Sequence, residues 1–357
     1  MSSPHSTTAP QAPALRMLFW ETTARCNLRC AHCRRSDPGA DDDLTLAEAR
    51  AMFADAAALG RPVVVFSGGE PLLRDDWEEL AAAARACGLP VALATNGTLI
   101  DDALAQRVAG AGFRRVAVSI DGPDAATHDA LRGRRGAFDA AIAGLAALRK
   151  AGQPTQINTT VTRSNADKLD DVLTTARAAG AQAVHLFLLV PVGCGLELAR
   201  TQQLSGEQFD RVLRWLVNRQ VATAGGIELR ATCAPQYGRI AARHGLPVRG
   251  GGCLSGRSVV FVGHAGRVQP CGYLPVTCGD VRRDDLATIW RRSCVLGDLR
   301  DPGRLGGACG ACDYAAACGG CRARAFAATG DYLAAEPGCP YGRAPTDATN
   351  VDTSRGR

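Results

Sequence analysis

The stretch CNLRCAHC carries Cys26, Cys30 and Cys33, with three and then two residues between successive thiols. Three thiolates on one loop can hold three irons of a [4Fe–4S] cube and leave the fourth iron without a protein ligand. Such an incomplete cage is useful for chemistry at the open iron. A zinc ion, or a cluster completed by a distant side chain, would use the same triplet. Further on stands GGEP, in which Gly68 and Gly69 let backbone approach a ligand closely and Glu70 offers a carboxylate to a cationic amine.

A second concentration of thiols lies near the other end, in CGACDYAAACGGC. It holds Cys309, Cys312, Cys318 and Cys321, with Cys339 beyond it and Cys253 and Cys271 before it. Two zinc knuckles need a longer separation than the five residues here, which places zinc second to iron–sulfur. The chain has 357 residues and 15 cysteines, an odd number, and MSSPHSTTAPQAPAL lacks a charged segment followed by an apolar one. A reducing, cytoplasmic setting is expected, where clustered cysteines bind metal or do redox chemistry. No apolar run reaches the roughly 18 residues that span a bilayer. The net charge of +6 is spread out, and the densest basic stretch, LRGRRG, has no aromatics to stack on bases, which speaks against nucleic acid.

These loops must be carried by a scaffold. RMLFWETT, PVVVFS, PVALAT, RRVAVSI, QINTTV and AVHLFLLV read as six strands, each followed by a helix-length segment. In TLAE, Thr45 and Glu48 form a capping box that opens the first helix. Apolar runs alternating with helices imply parallel strands and an α/β fold, a partial (β/α)6 TIM-like barrel. The cysteine triplet, SGGEP, TNGT and SIDG follow strands one to four, so all four loops share the mouth at the strands' carboxyl ends. The division expected is a disordered tail at 1–14, the barrel at 15–200, a bridging helix and strand at 201–249, a small Fe–S domain at 250–342 and a second tail at 343–357. SVVFVG-HAG-RVQPC reads as a hairpin in that small domain. Cys87, Cys194 and Cys294 read as structural.

With the triplet and GGEP in hand, the chain resembles the radical S-adenosylmethionine superfamily. The resemblance implies that S-adenosylmethionine chelates the open iron and is cleaved by one electron to a radical that takes hydrogen from an unactivated carbon. It further implies that Gly68, Gly69 and Glu70 contact the methionine amine, with Pro71 in the same cofactor-binding loop. Ser119 would lie beside the cofactor, Arg132 would pair with its carboxylate, and Leu189 and Val190 would line the adenine side. His32 and His128 are spacing or hydrogen-bonding residues. The tail, with Gly-x4-Cys in GRVQPC, resembles the SPASM extension, which holds auxiliary [4Fe–4S] clusters. Cys309, Cys312, Cys318 and Cys339 would ligate one cluster. Cys253, Cys271 and Cys321 are left for another, one thiol short. Cys233 or Cys278 completes that set, or an iron stays open, or no second auxiliary cluster forms.

Longer stretches, among them QINTTVTR, LRATCAPQYGRI, VQPCGYLPVTCGDVR and CGGCRARAFAATGDYLAAEPGC, resemble the heme b synthases of the siroheme-dependent heme pathway over residues 16 to 342. One departure is PVGCG, where the resemblance implies an Arg in place of Cys194. The substrate implied is a tetrapyrrole, iron-coproporphyrin III, with two propionates decarboxylated oxidatively to vinyl groups. A flavodoxin or ferredoxin-type reductant would supply electrons. No general acid or base is assigned, since radical abstraction requires none. The alternatives are a relative acting on a siroheme derivative, a peptide-modifying maturase, and a non-catalytic Fe–S carrier or scaffold. Only about fifteen residues precede strand one, too few for a peptide-recognition domain, and a carrier has no evident use for GGEP.

Overall fold

The computed structural model describes residues 12–35, 42–222, 226–246 and 252–341. The expected tails, apart from residues 12–14, and the division expected at 250 lie outside the described residues.

All six apolar runs are strands: β1 (Met17–Thr23), β2 (Val63–Gly68), β3 (Val91–Thr95), β4 (Val116–Ser119), β5 (Thr155–Val161) and β6 (Ala183–Leu188). They pair in chain order, each parallel to the next. The crossovers carry α1 (Leu46–Ala58), α2 (Trp77–Ala86), α3 (Asp102–Gly110), α4 (Ala125–Arg132), α5 (Ala137–Lys150) and α6 (Leu169–Ala178). The capping box is formed, with the Glu48 N–H donating to Thr45 Oγ1 at 3.3 Å and the Thr45 N–H to Glu48 Oε2 at 2.7 Å. Such a cap is worth about 1 kcal/mol. The result is the parallel α/β barrel architecture expected.

The sheet extends beyond six strands at both edges. After α7 (Ala199–Gln202) and α8 (Gly206–Ala222), β7 (Glu228–Thr232) adds in parallel to β6; α9 (Tyr237–Arg243) follows. At the other edge β8 (Val259–Val262) lies parallel to β1, and the expected hairpin takes the chain into antiparallel β9 (Arg267–Gln269) and then β10 (Gly279–Asp280). One ten-stranded sheet therefore runs β10-β9-β8-β1-β2-β3-β4-β5-β6-β7. The physical reason is burial: all four residues of β8, Val-Val-Phe-Val, are buried, and the free edge of β1 supplies the hydrogen-bonding partner that such a strand requires.

The core is anchored by aromatic rings. Trp20 meets Phe53 and Phe66 edge-on at 5.5 Å, and Phe113 joins Phe66 to Trp77. Each such pair adds roughly 0.5–1.5 kcal/mol beyond area burial. The later segments, α10 (Leu286–Arg292), α11 (Cys294–Arg300), α12 (Gly307–Gly310) and α13 (Arg322–Thr329), are tied to the barrel by specific bonds. Trp290 Nε1 donates to the Pro13 carbonyl at 2.8 Å, and the Leu286 N–H to Asp55 Oδ2 at 2.8 Å.

Candidate functional site

The cysteine loop leaves the carboxyl end of β1 and is clamped by the loops of its neighbours. The Gly69 N–H donates to the Thr23 carbonyl at 2.9 Å and the Glu70 N–H to the Arg25 carbonyl at 2.8 Å. A Cβ on Gly69 would stand 2.1 Å from the Arg25 oxygen, and one on Gly68, whose φ is +139°, 2.6 Å from the Thr23 oxygen. Close approach of backbone is thus the reason for the two glycines, and here the backbone approached is that of the cysteine loop. Asn27 extends the clamp to the third loop: its Oδ1 accepts from Asn96 Nδ2, and its Nδ2 donates to Thr98 Oγ1, both at 2.8 Å.

Glu70, expected at the methionine amine, is bonded within the protein. Its carboxylate is fully buried, with Oε1 accepting from Thr95 Oγ1 at 2.8 Å and the Leu72 N–H at 3.3 Å, and Oε2 from the Asn96 N–H at 2.8 Å. Burial pushes its pKa up, opposed by those three hydrogen bonds. In this structure the carboxylate ties the β2 loop, with Pro71 opening its 3-10 turn, to the β3 loop.

Arg132 is likewise engaged inside the protein. Its Nε lies 2.7 Å from Asp121 Oδ2, and its Nη1 donates to Cys30 Sγ at 3.8 Å. Asp121 is fully buried and also accepts from the Thr160 N–H at 2.7 Å. Burial would raise the Asp121 carboxyl, but Arg132, His32 and His128 outweigh it and hold it low. Burial lowers His32 and His128 to about 4 each, so both rings are neutral near pH 7. His128 Nδ1 accepts the Asp121 N–H at 3.0 Å, a hydrogen-bonding role, while His32 Nε2 lies 3.5 Å from Asp121. Asp121, which orients Arg132 toward a thiol, escaped the sequence reading although it follows the singled-out Ser119 by two residues.

Ser119 ends β4 opposite Asn158, and Leu189 follows β6; among the described residues neither bonds to the cysteine loop. Leu189 lines a cavity of about 270 Å³ that it shares with Gln236, Arg239, Arg324 and Cys339. The departure at PVGCG also has a place: Cys194 Sγ donates to the Arg35 carbonyl at 2.9 Å, fastening the β6 loop to the end of the cysteine loop. Arg34 and Arg35, with His264, surround Glu21 of β1 at 2.9, 3.3 and 3.0 Å. Burial would raise Glu21, but the His264 hydrogen bond and the two arginines bring it down to about 2.

At the far end, Cys309, Cys312, Cys318 and Cys339 line one cavity of about 130 Å³. Cys309 Sγ accepts from the Glu336 N–H at 3.3 Å and Arg322 Nη2 at 3.6 Å; Cys312 Sγ accepts from the Tyr314 N–H at 3.4 Å. Gly320, at φ +65°, passes so close that a Cβ would be 3.1 Å from Cys309 Sγ. Soft sulfur donors, N–H groups aimed at them and a space between them fit an iron–sulfur cluster. Among the described residues no three His, Cys, Asp or Glu side chains close on a single metal ion.

The remaining thiols gather nearby. Cys321 is buried in an apolar cluster with Val190, Val192 and Leu274, against which Cys271 and Cys233 pack. Cys233 is held at φ +56°, a left-handed conformation that costs a non-glycine residue about 1–3 kcal/mol. Burial raises its thiol well above the ordinary value; Cys321, Cys271 and Cys253 add to that push while Arg324 opposes it. Cys278, whose thiol burial pushes up to about 12, packs against the main core instead. Of the two residues that could complete the short set, Cys233 is thus the one that packs against the same cluster as Cys271 and Cys321. The sequence signal was present only as a cysteine at the end of a strand-like run. All fifteen cysteines are free thiols, and among the described residues no helix is long and apolar enough to cross a membrane.

Comparison with known proteins agrees with this geometry. The Radical SAM superfamily model matches residues 20–176, and the SPASM iron–sulfur cluster-binding domain model matches residues 253–321. The AdoMet-dependent heme synthase of Methanosarcina barkeri is 43% identical over 343 residues, covering 92% of this chain and 97% of its own. That of Nitratidesulfovibrio vulgaris is 40% identical over 348 residues, covering 92% and 93%. Among solved structures, Streptococcus suis SuiB bound to its precursor peptide SuiA superposes with a TM-score of 0.76 at 15% identity, over 92% of this chain and 77% of that one. Three thiols clamped at the mouth of a parallel barrel, followed by a second cysteine-built region, make this chain a member of the radical SAM superfamily with a SPASM extension, an enzyme of S-adenosylmethionine and [4Fe–4S] chemistry.

Proposed function

We propose that the protein decarboxylates two propionates of iron-coproporphyrin III to vinyl groups, giving heme b. The observation that carries this reading is the likeness to AdoMet-dependent heme synthases along nearly the whole chain, through the barrel and the cysteine-rich region alike. Each turnover removes one hydrogen atom from the propionate carbon next to the ring, releases carbon dioxide and leaves one electron to be taken up.

Cys26, Cys30 and Cys33 would hold the cluster with the open iron, and Gly68, Gly69, Glu70, Pro71, Ser119, Arg132 and Leu189 the cofactor-binding surface. When bound, S-adenosylmethionine and that cluster supply the hydrogen-abstracting radical, and the auxiliary sets supply [4Fe–4S] sites able to accept the remaining electron. The protein's own work is positional. Asp121 fixes Arg132, which steadies the Cys30 sulfur; Glu70 locks the β2 and β3 loops so that the cysteine loop cannot drift; burial keeps His32 and His128 neutral beside the site. Cys309, Cys312, Cys318 and Cys339 would ligate the first auxiliary cluster. Cys253, Cys271 and Cys321, completed by Cys233, would ligate the second. Fifteen free thiols suit a reducing, cytoplasmic location, with a flavodoxin or ferredoxin-type protein as electron donor.

The test is anaerobic turnover of the reconstituted protein with iron-coproporphyrin III, S-adenosylmethionine and dithionite, read by mass spectrometry. Loss of two formic acid equivalents, that is of two CO2 with four hydrogen atoms, is the expected result. Unchanged iron-coproporphyrin beside a converted siroheme derivative would assign the protein to a different tetrapyrrole.

A further inference from the structure

Between the two C-terminal cysteine sets lies a pair of opposite charges that cysteine spacing does not reveal. Arg324 of α13 and Glu336 are 3% and 2% exposed, with Arg324 Nε 2.6 Å from Glu336 Oε1. Withdrawing two such charges from water costs several kcal/mol each, so the pair persists only where its remaining donors and acceptors are also used. Here they are used, and on the cysteine sets themselves. Glu336 Oε2 accepts the Cys321 N–H, and the Glu336 N–H donates to Cys309 Sγ at 3.3 Å. Arg324 Nη2 donates to the Cys233 carbonyl at 2.6 Å, and its Nη1 to the Leu188 carbonyl at the end of β6 at 3.4 Å. Its guanidinium rests 4.8 Å over the Phe209 ring. Cys233 and Cys321 belong to one set and Cys309 to the other. Glu336 also lines the cavity among Cys309, Cys312, Cys318 and Cys339, whereas Arg324 does not.

We propose that Arg324 and Glu336 form an electrostatic tie between the two auxiliary sites, positioning one against the other and setting their reduction potentials with opposite signs. The inference rests on reading both cysteine sets as iron–sulfur sites. A reduced cluster carries one more negative charge than an oxidised one, so a nearby cation favours reduction and a nearby anion opposes it, most strongly where water is excluded. Among the described residues Arg324 hydrogen-bonds to the set containing Cys233 and Cys321 and not to the other, and raises the potential of the former. Glu336 touches both sets, and lowers both. Both are positioning residues, since neither is a ligand.

The experiment is a redox titration of the full, anaerobically reconstituted chain followed by electron paramagnetic resonance, with iron and sulfide analysis of every sample. Glu336→Gln is expected to move both auxiliary potentials upward. Arg324→Gln is expected to move the second downward and leave the first in place, and Arg324→Lys, which keeps the charge, to stay near the unsubstituted protein. Each shift should change the reduced-to-oxidised ratio at least tenfold, ~59 mV for one electron. Shifts of the same sign in Glu336→Gln and Arg324→Gln, or shifts below tenfold in both, overturn the proposal. If Arg324→Gln loses its iron, Glu336→Gln decides alone: upward movement of both potentials supports the tie and unmoved potentials overturn it. An unsubstituted protein holding about eight irons or fewer, against the roughly twelve that three [4Fe–4S] clusters require, would overturn the reading of both sets as cluster sites, and the iron analysis separates that outcome from a failure of the tie.

Discussion

The two cysteine-bearing regions are built in opposite ways. At the barrel mouth three thiols sit on one short loop, Cys26 among them exposed, and the loop is clamped from outside by backbone and amide bonds from the β2 and β3 loops. In the C-terminal region the thiols come from separate segments, and the buried Arg324–Glu336 pair bonds to the backbone of Cys233 and Cys321 and to the Cys309 sulfur. An accessible loop suits a site that must admit a cofactor and a substrate. Thiols drawn from several segments, with Cys321 buried among them, suit sites that exchange electrons without exchanging ligands.

The largest effect expected from breaking this contrast is at the mouth. Cys30→Ala should reduce 5′-deoxyadenosine release from S-adenosylmethionine and dithionite to background while the C-terminal region keeps its iron. Release that survives the substitution would mean the loop is not the reactive site. Next, Cys233→Ser and Cys278→Ser should part company: the first loses or alters one auxiliary cluster signal in electron paramagnetic resonance, and the second keeps it. Equal effects would dissolve the four-thiol set.

A buried pair at the mouth gives an effect of intermediate size. Asp121→Asn leaves Arg132 buried beside Cys30 without its carboxylate, and should destabilise the fold by about 3–5 kcal/mol, read as the denaturant midpoint at unchanged slope. A loss under about 1 kcal/mol would show the pair to be better solvated than its burial implies. The smallest effect is seen only in acid. Glu21 titrates at about 2 in the fold against 4.5 ordinarily, so the stability it contributes is present above pH 4.5 and is lost as pH falls through 2. The contribution is on the order of 3 kcal/mol, and Glu21→Gln should flatten the dependence of stability on pH across that window.

How much of this was legible before folding differs between the regions for the same reason. The strands, the capping box at Thr45 and Glu48, the loops at the strands' carboxyl ends and the cysteine triplet are all local features, visible within a few residues of sequence. The extension of the sheet was not, because β7 and β8 are short and are recruited by the free edges of β6 and β1. Nor were the bonds of Glu70 to Thr95 and Asn96, because those partners come from another strand–loop unit.

By itself, then, the sequence determined the barrel order, the cysteine triplet and the glycine pair beside it, since each depends on residue type at short spacing. Only the tertiary structure decided that Cys233 packs with Cys271 and Cys321 while Cys278 packs against the main core, that Asp121 steers Arg132 onto Cys30, and that Arg324 pairs with Glu336 among the C-terminal cysteines. These are contacts between residues far apart in the chain, and their existence depends on which faces the fold buries together, a quantity that no window of sequence contains.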